Sequence, residues 1–471
     1  MREKSIFSRA KRKMMTRSNN NMKILFITLG CDKNLVDSER MLGKLAGHGY
    51  EMTDDETQAD IIIINTCCFI DSAKEESIQT ILDMAKYKTE GRCTALIVTG
   101  CMAQRYRQEV LDEIPEVDAI IGTNSYNKIE DAILQVGNGI RPSILEPLTG
   151  IPDDAEKRVM TTGGFFEYLK IAEGCDKHCT YCAIPGMRGP YRSVPMEDLL
   201  REARQLAEDG VKELILVAQE TTRYGMDLYG KKSLHILLEK LSEIDGIRWI
   251  RILYCYPEEI YPEMIQAMKE LPKVCHYLDL PIQHSNDEIL KRMGRRTSHD
   301  DLVQIIGNLR KEIPDIALRT TLITGFPGET EEQHQDVCDF IREMKFDRLG
   351  VFTYSQEEGT PAASFDGQID EETKKDRQDR LLTLQQEVSR QRNEELIGRT
   401  LDVFIEGFMS DENAYVGRTY ADTPNIDGMI FIQTPETLNT GDFVQAIVTG
   451  ALEYDLIGEL VDEETMELLN K

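Results

Sequence analysis

No stretch of this 471-residue chain approaches the roughly 18 consecutive apolar residues that a membrane-spanning helix requires, which excludes an integral helical membrane protein. The N-terminus has no apolar core of the kind that marks a secretory signal. The eleven cysteines are therefore not read as an extracellular disulfide framework, and a reducing cytoplasm, where thiols serve metals or catalysis, is the expected location. A phosphate-cradling G-x-x-x-x-G-K-S/T loop is also missing, so nothing supports ATP use. Positive charge is scarce, with 55 Lys and Arg against 83 Asp and Glu and a net charge of −28. That balance argues against direct nucleic-acid binding, which needs a basic surface, and favours a basic protein partner. Residues 1–21 are the exception, with Arg2, Lys4, Arg9, Lys11, Arg12, Lys13 and Arg17 against Glu3. They read as a basic disordered tail, or as sequence upstream of a true start at Met22, rather than as an organellar presequence or a nucleic-acid arm.

What the chain does contain falls into three compositional parts. Residues 22–138 alternate short apolar runs (Ile24–Leu29, Ile61–Ile64, Ala95–Val98, Ala119–Ile121) with helical periodicity at Asn34–Leu45, at Asp71–Lys86 and up to about Ile114. Fully apolar strand runs separated by helices predict a parallel, flavodoxin-like α/β sheet covered on both faces. A Gly- and Pro-rich linker over 139–160 follows. Residues 161–397 carry six further strand–helix units, with strands at Tyr168–Ile171, Glu213–Ala218, Trp249–Leu253, Tyr277–Leu280, Ala317–Ile323 and Leu349–Tyr354. Six units predict a partial (β/α)6 barrel, from which a charged helix near Glu371–Leu396 leads out. Over 398–466 the pattern changes to short alternating segments, which predicts a small antiparallel β-barrel.

Chemistry is concentrated in the cysteines. Cys175, Cys179 and Cys182 form a C-x3-C-x2-C loop. Iron–sulfur clusters are held by thiolates, and three thiolates leave one iron of a cubane without a protein ligand. An open coordination position is where metal chemistry occurs. The competing reading is a zinc knuckle with His178 as fourth ligand, but His178 directly abuts Cys179 and would close a tetrahedron with difficulty. A second trio, Cys31, Cys67 and Cys101, follows the first, second and third N-terminal strands, each about one strand–helix–strand unit after the last. Ligands of open parallel sheets bind beyond the carboxyl ends of the strands, so this spacing predicts convergence at one sheet edge. Cys68, Cys93, Cys255, Cys275 and Cys338 lack such a pattern and read as small buried side chains, Cys68 lying beside a candidate ligand.

The first loop, with Tyr181 immediately before its last cysteine, resembles the signature of radical S-adenosylmethionine (SAM) enzymes. Together with the second trio and Thr324-Gly325-Phe326-Pro327-Gly328-Glu329-Thr330, the chain resembles the methylthiotransferase family of those enzymes from Lys23 to about Val461. The resemblance implies a C-terminal TRAM barrel, two 4Fe–4S clusters and SAM as cofactors. Cys175, Cys179 and Cys182 would hold the cluster that cleaves SAM, and Cys31, Cys67 and Cys101 a cluster carrying an exogenous sulfur, methylated by a second SAM. Loops at the carboxyl ends of barrel strands are the expected SAM contacts, with Tyr181, Gln219, Thr324, Gly325 and Gly328 as candidates; the two glycines allow close backbone approach. Tyr254, Tyr256, Gln283, His284, Arg295 and Arg296 near strand ends are weaker candidates for a substrate channel, each equally readable as a structural polar group.

Two branches of the family compete. One modifies an adenosine in tRNA, the other the β-carbon of an aspartate on small-subunit ribosomal protein twelve, free or on the ribosome. Gln219-Glu220-Thr221-Thr222-Arg223-Tyr224-Gly225 resembles the protein-modifying branch, since the tRNA branch usually has Asn and Val after the Gln. The runs Leu29–Glu39 and Ile184–Gly189 point the same way. From Gly398 onward three basic side chains face fifteen acidic ones, a balance that repels phosphate and attracts a lysine-rich protein. Val194 and Cys68 depart from the family pattern, and neither is itself a candidate ligand. A non-enzymatic iron–sulfur sensor or electron carrier, with fully ligated clusters, is the reading from a different class.

Overall fold

A computed structural model describes residues 22–152 and 157–461. The expected basic tail over 1–21 lies outside the described residues. The chain forms two compact units.

The first unit comprises residues 22–163, Lys170–Val194 and Ser355–Ala363. Its six-stranded parallel sheet contains β1 (Lys23–Thr28), β2 (Glu51–Met52), β3 (Ile61–Thr66), β4 (Ala95–Gly100), β5 (Ala119–Ile121) and β6 (Ser143–Ile144), in the order β2-β1-β3-β4-β5-β6. The core strands Ile61–Thr66 and Ala95–Gly100 are buried at every position, because helices cover both faces. Helices α1 (Asp32–Gly47), α2 (Asp71–Ala85), α3 (Cys101–Tyr106) and α4 (Ile129–Gly137) follow β1, β3, β4 and β5. This is the flavodoxin-like arrangement, with its topological switch point between β1 and β3. The edge strands β2 and β6, two residues each, do not appear in the sequence reading, being too short for a period to register. The helix expected up to Ile114 is broken at Arg107 (φ 48°) into Cys101–Tyr106 and Gln108–Glu113. The same unit holds the C-x3-C-x2-C loop, between short paired strands at Ala172–Glu173 and Arg192–Ser193, with helix α5 (Ile184–Arg188) inside the excursion.

The second unit contains Gly164–Leu169, Pro195–Tyr354 and residues 364–461. Strands β7 (Phe166–Lys170), β8 (Glu213–Val217), β9 (Trp249–Ile252), β10 (Val274–Asp279), β11 (Ala317–Thr324) and β12 (Arg348–Thr353) lie side by side in sequence order. The sheet stays open, as expected of six units rather than eight. Each helix between strands buries one stripe; Met196–Glu208, for example, buries Met196, Leu199, Leu200, Ala203 and Leu206. The helix Pro262–Glu270 starts at a proline, which suits a first turn, after a short 3₁₀ segment at Pro257–Glu259.

Residues from Thr400 form a closed five-stranded barrel from β13 (Thr400–Met409), β14 (Ala414–Arg418), β15 (Ile430–Ile432), β16 (Phe443–Ala451) and β17 (Leu456–Leu460). Four of its ladders are antiparallel, and β15 pairs with β17 in parallel. The small barrel seats on the N-terminal ends of the parallel strands. There Trp249 packs edge-on against Phe443 at 4.8 Å, and Glu213 bridges Arg251 and Arg418. No described helix is long and apolar enough to cross a membrane.

Candidate functional site

Cys31, Cys67 and Cys101 follow β1, β3 and β4, three adjacent strands that straddle the switch point. The predicted convergence at one sheet edge is present. Cys31 caps the N-terminus of α1, where unpaired backbone N–H groups favour negative charge. Cys67 and Cys101 are buried, and the charges of the three sulfurs act on one another. Burial raises the Cys67 thiol above its ordinary range and pushes Cys101 to about 12, against the opposing pull of the Arg188 guanidinium. A bound cation reverses that preference, since a coordinating thiol loses its proton outright.

Polar residues stitch the three loops together. Asn34 Nδ2 donates to Leu29 O at 2.9 Å and Thr66 O at 3.0 Å. Asn65 Nδ2 donates to Asn34 O at 2.8 Å and Ser38 Oγ at 2.9 Å. Ser77 Oγ accepts from Cys67 N–H at 3.1 Å and donates to Cys67 O at 2.7 Å, fixing that cysteine from both sides.

The trio of the C-x3-C-x2-C loop, Cys175, Cys179 and Cys182, lies in the same unit. Cys175 N–H donates to Gly189 O at 3.0 Å, Cys182 N–H to Cys179 O at 3.1 Å, and Lys177 N–H to Cys175 Sγ at 3.4 Å. Asp176 accepts from Tyr191 N–H at 2.9 Å, and Thr180 O from Ala362 N–H at 2.9 Å, so the loop is held at both flanks. A cavity of about 400 Å³ reaches Cys179 and Cys182 and is bordered by Gln104, Arg105, Met187 and Glu358. Arg105 Nη1 donates to Glu357 at 2.9 Å and to Cys68 O at 2.9 Å. Cys68 packs its sulfur 3.3 Å from Met187 Sδ, and burial pushes its thiol to about 12; it is a buried packing residue.

Among the described residues, no three His, Cys, Asp or Glu side chains are grouped so as to hold a single metal ion. The thiolates of a cluster bind separate irons, so a cluster asks for a wider, all-sulfur set. Each trio offers such a set: three cysteines carried on loops that hydrogen bonds hold in place.

Of the expected SAM contacts, Tyr181 belongs to the first unit, and Gln219, Thr324, Gly325 and Gly328 to the second. Gln219 follows the carboxyl end of β8, and Thr324 ends β11. Gly325 and Gly328 have φ of 71° and 81°, which glycine alone adopts freely. The Glu329 carboxylate accepts from Gly325 N–H at 2.5 Å and Phe326 N–H at 3.0 Å. Burial works against its charge, but His334, His284 and Arg377 outweigh it and hold the carboxyl below its ordinary range. Tyr254 and Gln283, just past β9 and β10, are left-handed without being glycine (φ 61° and 73°). Tyr254 N–H donates to the Asp279 carboxylate at 3.0 Å, and Gln283 N–H to Thr321 O at 2.9 Å, bonds that hold the strained backbone. Arg295 stacks on Tyr256 at 4.3 Å, and burial lowers His284 to about 4.

Family models match three segments: Uncharacterized protein family UPF0004 at residues 23–122, the Radical SAM superfamily at 169–341 and the TRAM domain at 397–461. A protein of Lachnoclostridium phytofermentans called ribosomal protein uS12 methylthiotransferase RimO is 60% identical over 437 residues, covering 93% of this chain and 99% of that protein. The chain belongs to the RimO family of radical SAM methylthiotransferases. RimO proteins of Clostridium perfringens and Clostridioides difficile are 50% and 48% identical over 442 residues, each covering 94% of this chain and 98% and 99% of their own. The radical SAM methyltransferase TsrM of Kitasatospora setae, solved with cobalamin and a 4Fe–4S cluster bound, superposes with a TM-score of 0.54 at 12% identity over 72% of this chain and 73% of its own, a likeness of fold.

What the sequence reading of this RimO-family chain missed is the polar support: Asn34, Asp37, Asn65, Ser77, Lys170, Glu173 and Arg188, all buried. One signal was available. Asn34, Asp37 and Ser38 sit on α1 among Val36, Met41, Leu42 and Leu45, a polar cluster inside an otherwise apolar stripe.

Glycine is required at one point of the site formed by Cys31, Cys67 and Cys101. Gly30 has φ 88°, and a Cβ there would stand 2.7 Å from Cys67 Cβ and 3.0 Å from Cys67 Sγ. Gly139 has φ 82° with nothing within 4 Å of such a Cβ. Gly139→Ala should therefore lose only the left-handed backbone term, about 1–2 kcal/mol, and Gly30→Ala clearly more. Denaturant unfolding of both variants checks this; equal losses would mean that Cys67 yields freely.

Proposed function

We propose that this protein is a methylthiotransferase that uses SAM to place a methylthio group on the β-carbon of an aspartate of ribosomal protein uS12, in the cytoplasm. In this reading Cys175, Cys179 and Cys182 hold one 4Fe–4S cluster and Cys31, Cys67 and Cys101 a second. The chemistry such clusters supply when bound is one-electron reduction of SAM at the first and provision of a transferable sulfur at the second. The observation that carries the reading is the gathering of three thiols from three adjacent strand ends in the same unit as the C-x3-C-x2-C loop.

The protein's own part is binding, orientation and exclusion of water. Backbone hydrogen bonds at Cys175, Asp176 and Thr180 fix the loop that presents three sulfurs. Gly325 and Gly328 let backbone approach SAM, and Glu329 holds their turn rigid, so that little freedom is lost on binding. Tyr181, Gln219 and Thr324 complete the assigned SAM contacts.

Charge favours a protein substrate over tRNA. Asp402, Asp411, Glu412, Glu436, Glu453 and Glu459 of the small barrel are exposed, with Arg399 as the exposed base among its described residues. Such a surface steers a basic protein inward and repels a phosphate backbone. Reduced, cluster-replete protein incubated with SAM and either a uS12 peptide or unmodified tRNA should yield methylthiolated peptide by mass and unchanged tRNA. The reverse outcome overturns the substrate assignment.

A further inference from the structure

Arg188 ends α5, six residues beyond the last cysteine of the loop, and its side chain is 2% exposed. Burying a guanidinium costs several kcal/mol unless it is paired. Here Nη1 donates to Asp37 at 2.7 Å and to Glu173 at 3.1 Å. Lys170, which also bonds Asp37 and Glu173, completes a buried quartet of two cations and two anions. Nη1 makes these bonds, and the other nitrogen faces the trio of Cys31, Cys67 and Cys101. Nη2 donates to Asn34 Oδ1 and stands 3.6 Å from Cys101 Sγ. Its charge acts on Cys31 and Cys67 as well as on Cys101. The next residue, Gly189, accepts the Cys175 N–H through its carbonyl. Arg188 thus hangs from the loop of one trio and aims an N–H donor and a fixed positive charge at the other.

We propose that Arg188 is a positioning residue that sets the reduction potential of the cluster held by Cys31, Cys67 and Cys101. Hydrogen bonds to ligand sulfur and the net local charge are two of the levers that set such potentials, and ligand-supporting residues orient the thiolates. A cation against the sulfurs favours the more negative, reduced state. The proposal rests on the ligand assignment above, and the test separates the two.

The full chain with Cys175, Cys179 and Cys182 all changed to alanine reports one cluster alone. In that background Arg188→Lys keeps the charge and loses the fork. Arg188→Met with Asp37→Asn removes the cation together with a partner bound to its far nitrogen, leaving Lys170 with Glu173. The EPR-monitored midpoint should move to more negative values in the double variant and less far in Arg188→Lys, with iron retained near four per chain, one cubane. The same changes in a Cys31, Cys67 and Cys101 to alanine background should leave the midpoint of the remaining cluster where it was. An unmoved midpoint with iron retained, or equal movement in both backgrounds, overturns the proposal. If the double variant loses its iron, Arg188→Lys decides: a shifted midpoint supports the proposal and an unshifted one overturns it. Iron absent from the background before Arg188 is touched sinks the ligand assignment and the proposal with it.

Discussion

Changing Cys179 to alanine is expected to end both SAM cleavage and methylthio transfer, while about half of the iron stays in place. Cys179 sits mid-loop, buried, between Cys175 and Cys182, and its carbonyl accepts the Cys182 N–H. Alanine leaves that backbone bond intact and deletes only the sulfur, so the loss is one of ligation rather than of loop structure. Cys68 does not replace it, being packed against Met187 and held protonated by burial. Two thiolates do not retain a cubane in exchange with solvent, and iron should fall from about eight to about four per chain. Cys67→Ala is the complementary variant. It should also lose about four irons, yet keep producing 5′-deoxyadenosine, because the loop that serves SAM cleavage is untouched. Iron, 5′-deoxyadenosine and product mass, measured anaerobically on both, check the pair. Equal 5′-deoxyadenosine from wild type and Cys179→Ala would remove the loop from the chemistry.

The second large effect concerns stability. Glu213, fully buried at the start of β8, accepts from Arg251 Nε at 2.7 Å through one oxygen and from Arg418 Nη2 at 2.7 Å through the other. Arg251 lies on the parallel sheet and Arg418 on the small barrel, so one carboxylate joins two sheets. Glu213→Gln keeps the shape but strips the charge that offsets two buried guanidinium groups and turns an amide N–H₂ toward a donor. Breaking a buried pair of this kind costs about 3–5 kcal/mol. Trp249, the one tryptophan of the chain, sits against Phe404 and Phe443 of the small barrel, so its fluorescence reports the affected contact directly. The denaturant midpoint read at Trp249 should fall markedly; an unchanged midpoint would mean that the network adds nothing beyond packing. The same residue gives a pH signature. Burial opposes its charge, but Arg418 and Arg251 outweigh burial and hold the carboxyl below its ordinary range. Its contribution is therefore fully present above about pH 4.3, the ordinary glutamate value, and is lost as pH falls through the lower folded value. Wild type and variant should converge in acid.

Periodicity reported the central strands of both parallel sheets because each carries an apolar run buried on both faces: Ile61–Ile64 and Leu214–Val217 are cases in point. It was silent on Glu51–Met52 and Ser143–Ile144, whose pairing comes from neighbours rather than from any pattern of their own. The acidic excess of the C-terminal barrel was countable, but its destination was not. Asp422, buried, is used by Arg348 at 2.6 Å, and Asp427, whose side chain is 3% exposed, by Tyr277 at 2.7 Å, so only part of that charge faces a partner.

The sequence by itself determined the architecture and the two sets of three cysteines, because strand length, loop spacing and ligand chemistry are local properties written in consecutive residues. Tertiary structure alone decided what surrounds the sulfurs. Asn34, Asn65, Ser77 and Arg188 acquire their roles only when strands distant in sequence become neighbours, and a buried charge such as that of Arg188 has meaning only through the partners that folding brings to it.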